Sequence, residues 1–167
     1  MNADQRNLIL NLSLGRVSKD EFLRHFPEIL ESNGDYLRHE LERAFSSKDA
    51  DAVEHLLLLG FQFGCTESSA EVLCNLILQD WHTQHENIAM VLKDMRYPGA
   101  VQCLYQAALA VFPYLDYDES YALGVKCIYA LRAIGTSNAK EKLALIAQGS
   151  NAILAENAER LIKAMKG

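Results

Sequence analysis

The sequence predicts an all-α protein of about ten helices arranged as stacked antiparallel pairs. Three observations carry this. Apolar residues recur at helical spacing along nearly the whole chain, and no run of alternating apolar and polar residues with β-branched enrichment interrupts them. Connections between the apolar stripes are short, which favours consecutive antiparallel neighbours. Finally, Leu92, Met95, Ala100 and Leu104 recur as Leu131, Ile134, Ala139 and Leu143, each 39 positions later, with the turn Arg96–Gly99 aligned to Gly135–Asn138. A helix-turn-helix unit that repeats cannot cover its own apolar face and must stack.

Two short helices open the chain. Leu8, Ile9 and Leu12 form a stripe that stops at Gly15. Ser18 and Glu21 have capping-box spacing ahead of Phe22, Phe26 and Ile29, with a bend or end near Pro27. Glu31 to Gly34 reads as a loop. Longer helices are expected over about 35–46 (Leu37, Leu41, Phe45), 50–60 (Val53, Leu56, Leu57, Leu59) and 67–81 (Leu73, Leu76, Ile77, Trp81). The second half adds 85–95 (Ile88, Val91, Leu92), 98–112 (Val101, Leu104, Ala108, Val111) and 117–134 (Leu123, Cys127, Leu131), the last ended by Gly135. Two more come after it, 137–147 with Leu143 and Ile146, and 151–166 with Leu154, Leu161 and Ile162. At 167 residues the chain is expected to form one domain, with 1–34 as a helical cap and 35–167 as the stacked pairs.

Half of the residues are apolar, but charges break every apolar stretch before the roughly 18 to 20 residues that a bilayer requires, so no membrane partner is expected. The start of the chain lacks the pattern of a secretory signal. Cys65, Cys74, Cys103 and Cys127 are widely spaced and mostly within apolar helical patterns, which reads as four unpaired thiols in a reducing, cytoplasmic setting. The net charge is -6, and it is uneven: residues 1–83 hold 14 acidic and 7 basic side chains, residues 84–167 hold 8 and 9. Nucleic-acid binding draws on Lys and Arg neutralising phosphates, so no nucleic-acid partner is expected and a basic protein surface is the better match. The C-terminal lysines alternate with glutamates, as on a solvated helix face.

Two segments concentrate functional side chains. Trp81, His82, His85 and Glu86 lie together where a helix break is expected. His82 and His85 could share a helix face, but no third or fourth ligand is in view and the spacing is not that of a zinc helix, so no metal or other cofactor is expected. The alternatives are a partner contact and a structural role at helix ends. Tyr114, Asp116, Tyr117, Asp118, Glu119 and Tyr121 place three tyrosines and three carboxylates within eight residues. Asp116 and Glu119 have capping-box spacing, while the tyrosines supply rigid amphipathic area suited to an interface. Paired carboxylates alone do not make a catalytic site, and the chain has no phosphate-binding Gly-rich loop, no nucleophile elbow and no Cys/His motif in a recognisable context. No enzyme is expected.

The run Leu131 to Ala147, with Gly135 and Ala139 at its turn, resembles the second helix, turn and next first helix of bacterial HEAT-like repeats of the phycobilisome-lyase type. Tyr114 to Tyr121, with Lys126 to Leu131 after it, is similar to bacterial HEAT-repeat proteins that serve as immunity proteins of polymorphic toxin systems. The resemblance covers the second half of the chain well and the first half poorly. It implies a HEAT-like α-solenoid whose curved surface binds and occludes a protein partner, a toxin domain with a basic surface being the most concrete case. An intracellular scaffold or a lyase-like enzyme accessory is the alternative, and a glycosylase-like role is disfavoured by the acidic balance.

Overall fold

A computed structural model describes residues 1–32, 34–115 and 117–165, without the side chains of Leu30 and Glu31. The described residues form eleven α-helices and three short 3-10 turns, with no strand among them. The helix beyond the ten expected is the four-residue α3 (Glu28–Glu31) that begins directly after Pro27. The chain divides into two compact units, Met1–Val72 and Leu73–Gly167.

In the first unit, α1 (Ala3–Ser13) and α4 (Asp35–Ser47) both pack on α5 (Ala50–Phe63), and α2 (Lys19–His25) meets α1. Thus the 1–34 segment shares one core with α4 and α5. Ile9, Phe22, Phe26, Leu41, Val53 and Leu56 form this core, and Phe22 and Phe26 stack with centroids 5.4 Å apart. The expected Ser18 cap is present, its hydroxyl accepting the Glu21 amide at 3.1 Å. Asn2 and Gln5 make a second, unexpected capping box, reciprocal in both bonds, at the start of α1. Arg6 joins α1 to the start of α5 by donating to Asp49 at 2.6 Å, while Asp49 caps α5 through the Ala52 amide.

α6 (Ala70–Leu76) spans the boundary between the units. In the second unit, α9 (Ala122–Ile134) is the central element and packs against α7 (His85–Met95), α8 (Val101–Leu109), α10 (Ser137–Ala147) and α11 (Ala152–Ala164). The sequence repeat is a structural one here. Leu92, Ala100 and Leu104 are fully buried, and so are Leu131, Ala139 and Leu143. The turns match as well: Arg96 ends α7 at φ 52 and Gly135 ends α9 at φ 68, and in each case the next residue, Tyr97 or Thr136, is extended. Glycine adopts this left-handed conformation without steric cost, whereas an arginine is strained in it, so the Arg96 copy is the less stable version of the same turn.

Three expected helix limits move inward. α6 stops at Leu76, five residues before the expected end at Trp81. α8 stops at Leu109, where Ala110 turns extended ahead of Pro113. α9 begins at Ala122, so residues 110–115 and 117–121 lie outside α-helix, with a 3-10 turn at Pro113–Leu115. Proline removes an amide and restricts the residue before it, which explains why helical periodicity does not continue through this stretch.

The cysteine expectation is corrected. Cys74 on α6 and Cys103 on α8 are joined by a disulfide, with their Cα atoms 5.4 Å apart, leaving Cys65 and Cys127 free. Helix packing brings together two residues 29 apart, a separation that carries no local signature. The reducing-compartment inference loses its basis. No helix is long and apolar enough to cross a membrane among the described residues.

Two outcomes are expected. Thiol titration under denaturing, nonreducing conditions should find two reactive groups per chain, rising to four after reduction. Gly124 packs so closely on its neighbours that an added Cβ would lie 2.9 Å from the Ala108 carbonyl oxygen and 2.6 Å from the Leu154 side chain. Gly124→Ala should therefore destabilise by about 1–3 kcal/mol in denaturant titration, opposite in sign to the effect at an exposed helix position.

Candidate functional site

After Leu76 the chain leaves α6, and two imidazoles donate to carbonyls at the helix end and along its exit path. His82 Nε2 donates to the Leu76 carbonyl at 2.8 Å and His85 Nε2 donates to the Gln79 carbonyl at 2.6 Å. A carbonyl only accepts, so each neutral ring carries its proton on Nε2 and leaves Nδ1 as an acceptor. His82 Nδ1 accepts the Gln84 amide at 3.1 Å, and His85 Nδ1 accepts the Tyr114 hydroxyl at 2.8 Å. The four ring nitrogens are all engaged.

The rings form a continuous aromatic cluster. His82 and His85 stack with centroids 4.5 Å apart, Trp81 meets His82 edge-on at 4.9 Å, and Phe112 lies 3.7 Å from His85. His82 and His85 are 3% and 0% exposed. Burial holds both imidazoles below their ordinary value, His85 at about 4, although its bond to the Gln79 carbonyl works in the other direction. Burial, aided by the Glu86 carboxylate, pushes the Tyr114 hydroxyl up to about 12, so at neutral pH it remains a donor to His85. Glu86 is itself ion-paired with Lys126 of α9.

The two segments singled out in the sequence are therefore one structure, joined at His85 and Tyr114. Their residues have different placements. His82 and His85 are structural, with no ring nitrogen left for a partner; Trp81, Glu86 and Tyr114 are half-buried. Asp118 closes the start of α9, accepting the amides of Ser120 at 3.0 Å and Ala122 at 2.7 Å and the Ser120 hydroxyl, and these bonds hold its carboxyl below the usual range. The N-cap position of α9 is Tyr121, which makes no side-chain cap bond, and Asp118 takes the first helical amide instead; Asp116 lies outside the described residues. Tyr117, Glu119 and Tyr121 are exposed.

Sequence reasoning missed three contributors. Phe112 buries its ring against His85, Lys126 neutralises Glu86, and Val111 is 81% exposed. The helical pattern assigned Val111 to an inward stripe, and only the early end of α8 turns it outward. Among the described residues, no group of three or more His, Cys, Asp or Glu side chains is placed to hold a metal ion.

The neutral imidazoles imply a specific pH response. An unfolded chain takes up these protons near the ordinary value of 6.5, while folded His85 resists until about 4, so between those values the unfolded state binds more protons. Stability should be complete above pH 6.5 and fall as pH drops through this window, with His85 contributing on the order of 3 kcal/mol. Urea unfolding at several pH values checks this, and His85→Gln should flatten the slope. No protein family, curated protein or solved structure matches the chain.

Proposed function

We propose that this chain acts by binding a protein whose surface is basic and partly apolar, and that the segment Val111–Tyr121 contributes the contact. The observation that carries this reading is Tyr121, a bulky residue held at φ 53 with its ring 45% exposed. Glycine would occupy that backbone conformation without strain. Lys48 and Arg96 share the conformation as C-caps of helices, whereas Tyr121 stands at the start of one and carries an exposed aromatic face suited to a contact outside the chain.

Its neighbourhood supports the same reading. Tyr117 is 83% exposed and Val111 81%, and Leu109 at the end of α8 is exposed as well. Scattered surface apolar residues are ordinary, but four within 13 positions, three of them outside any helix, are a concentration. The segment is anchored through Phe112 and Tyr114 to the buried histidines, so the exposed rings require little ordering on association. Glu119 adds a free carboxylate, and the net charge of -6 would steer a basic partner. With the resemblance to HEAT-repeat immunity proteins, a toxin domain encoded beside this gene is the most concrete partner, inhibited by occlusion without chemistry on the part of this chain.

Tyr117→Ala and Glu119→Lys should retain helix content and melting temperature while weakening partner binding, Tyr117→Ala by about 1–3 kcal/mol. Tyr121→Gly should hold or raise stability, by up to about 1 kcal/mol, and still lose affinity. Asp118→Lys is expected to destabilise, because it removes the acceptor of the first amide of α9. Normal binding by all three folded variants would place the interface elsewhere. Failure of the soluble chain to rescue growth when co-expressed with the neighbouring toxin would sink the immunity reading and leave a scaffold.

A further inference from the structure

We propose that the cleft between α4 and the C-terminal end of α5, within the first unit, binds a small neutral molecule with a mainly aromatic or aliphatic body. The cleft encloses about 280 Å³, close to the lower end of the range for small-molecule sites. Ile29, Leu37, Leu59 and Phe63 give it apolar walls, and Tyr36, Cys65 and Thr66 are the lining residues with polar side-chain groups. None of the described residues lining it carries a charge. Burial pushes the Cys65 thiol up to about 11, and burial with the nearby Glu40 and Glu28 carboxylates pushes Tyr36 up to about 12, so at neutral pH both remain protonated. An anion entering here would lose hydration without gaining a counter-charge, with Glu40 and Glu28 near Tyr36 adding repulsion, whereas a neutral apolar body gains by leaving water.

Two close approaches shape the walls. A Cβ on Gly34 would come within 2.4 Å of the Thr66 side chain, and a Cβ on Gly60 within 2.7 Å of the Cys65 sulfur. The loop carrying Cys65 and Thr66 therefore rests against bare backbone at both points, which fixes those two side chains on the wall. The class of occupant is set by the described lining residues, which are apolar or uncharged.

Cys65 also provides the readout. Cys127 is fully buried and Cys74 and Cys103 are joined, so Cys65 is the thiol that alkylates in the native chain. The probe is the neutral fluorophore phenylnaphthylamine, titrated into the full chain, with the rate of Cys65 modification by N-ethylmaleimide measured by peptide mass spectrometry. One saturable site is expected, and at about ten times its dissociation constant alkylation should slow about tenfold, because only the free protein reacts. The sulfonated analogue anilinonaphthalenesulfonate should bind at least about tenfold more weakly, since it brings a charge into an uncharged cleft. Absence of saturable binding, binding that leaves the Cys65 rate unchanged, or equal affinity for the sulfonate would each overturn the proposal. The measurement needs no protein partner, so its outcome is independent of the interface at Val111–Tyr121.

Discussion

The second unit is organised by one requirement: two buried imidazoles must each find partners for both ring nitrogens where the chain leaves α6. His82 and His85 meet it by donating from Nε2, and that choice of tautomer dictates which partners the rest of each ring can take. With Nε2 committed, Nδ1 of His85 can only accept, and the donor it finds is the hydroxyl of Tyr114, 29 residues later. Phe112 closes over the same ring. Both imidazoles are buried, so a proton added to either would be a buried charge, with no carboxylate bonded to the rings among the described residues. Neutrality is a condition of the packing.

The anchor also sets how the exposed segment is displayed. The segment before α9 is held by Phe112 and Tyr114 at one end and by Asp118, which takes the Ala122 amide, at the other. Tyr117 and Tyr121, on either side of Asp118, are exposed. The buried histidines and the exposed tyrosines are parts of one device, an internal fastening and an external face. Treating Trp81–Glu86 and Tyr114–Tyr121 as two alternative contact surfaces misses this division.

Legibility in the sequence is confined to local and periodic features. The 39-residue repeat predicts equivalent burial of Leu92 with Leu131 and Leu104 with Leu143, and it aligns two turns that share backbone conformation although one carries Arg96 and the other Gly135. The Ser18 cap and the stop at Gly135 are visible for the same reason. Illegible are the features decided by residues far apart in the chain. An imidazole that ends α6 looks, in sequence, like one more polar residue in a helical pattern, and the partner of Cys74 lies on another helix. The start of α9 is placed too early by pattern alone because Asp116, Asp118 and Glu119 all lie at spacings that can cap, and the choice among them depends on the backbone path after Pro113.

The link between Cys74 and Cys103 closes a covalent ring that contains the whole of α7 together with Trp81, His82, His85 and Glu86. For an untangling machine that pulls a polypeptide from one end, such a ring is not a single thread. When the pull reaches Cys74 or Cys103, two strands must enter the pore side by side, and the stretch between them is dragged in as a hairpin. Narrow pores stall at such a junction unless a reductant opens it first. The region that holds the histidine cluster is therefore the part of the chain most resistant to processive extraction while the link is intact, irrespective of how weak its noncovalent packing becomes.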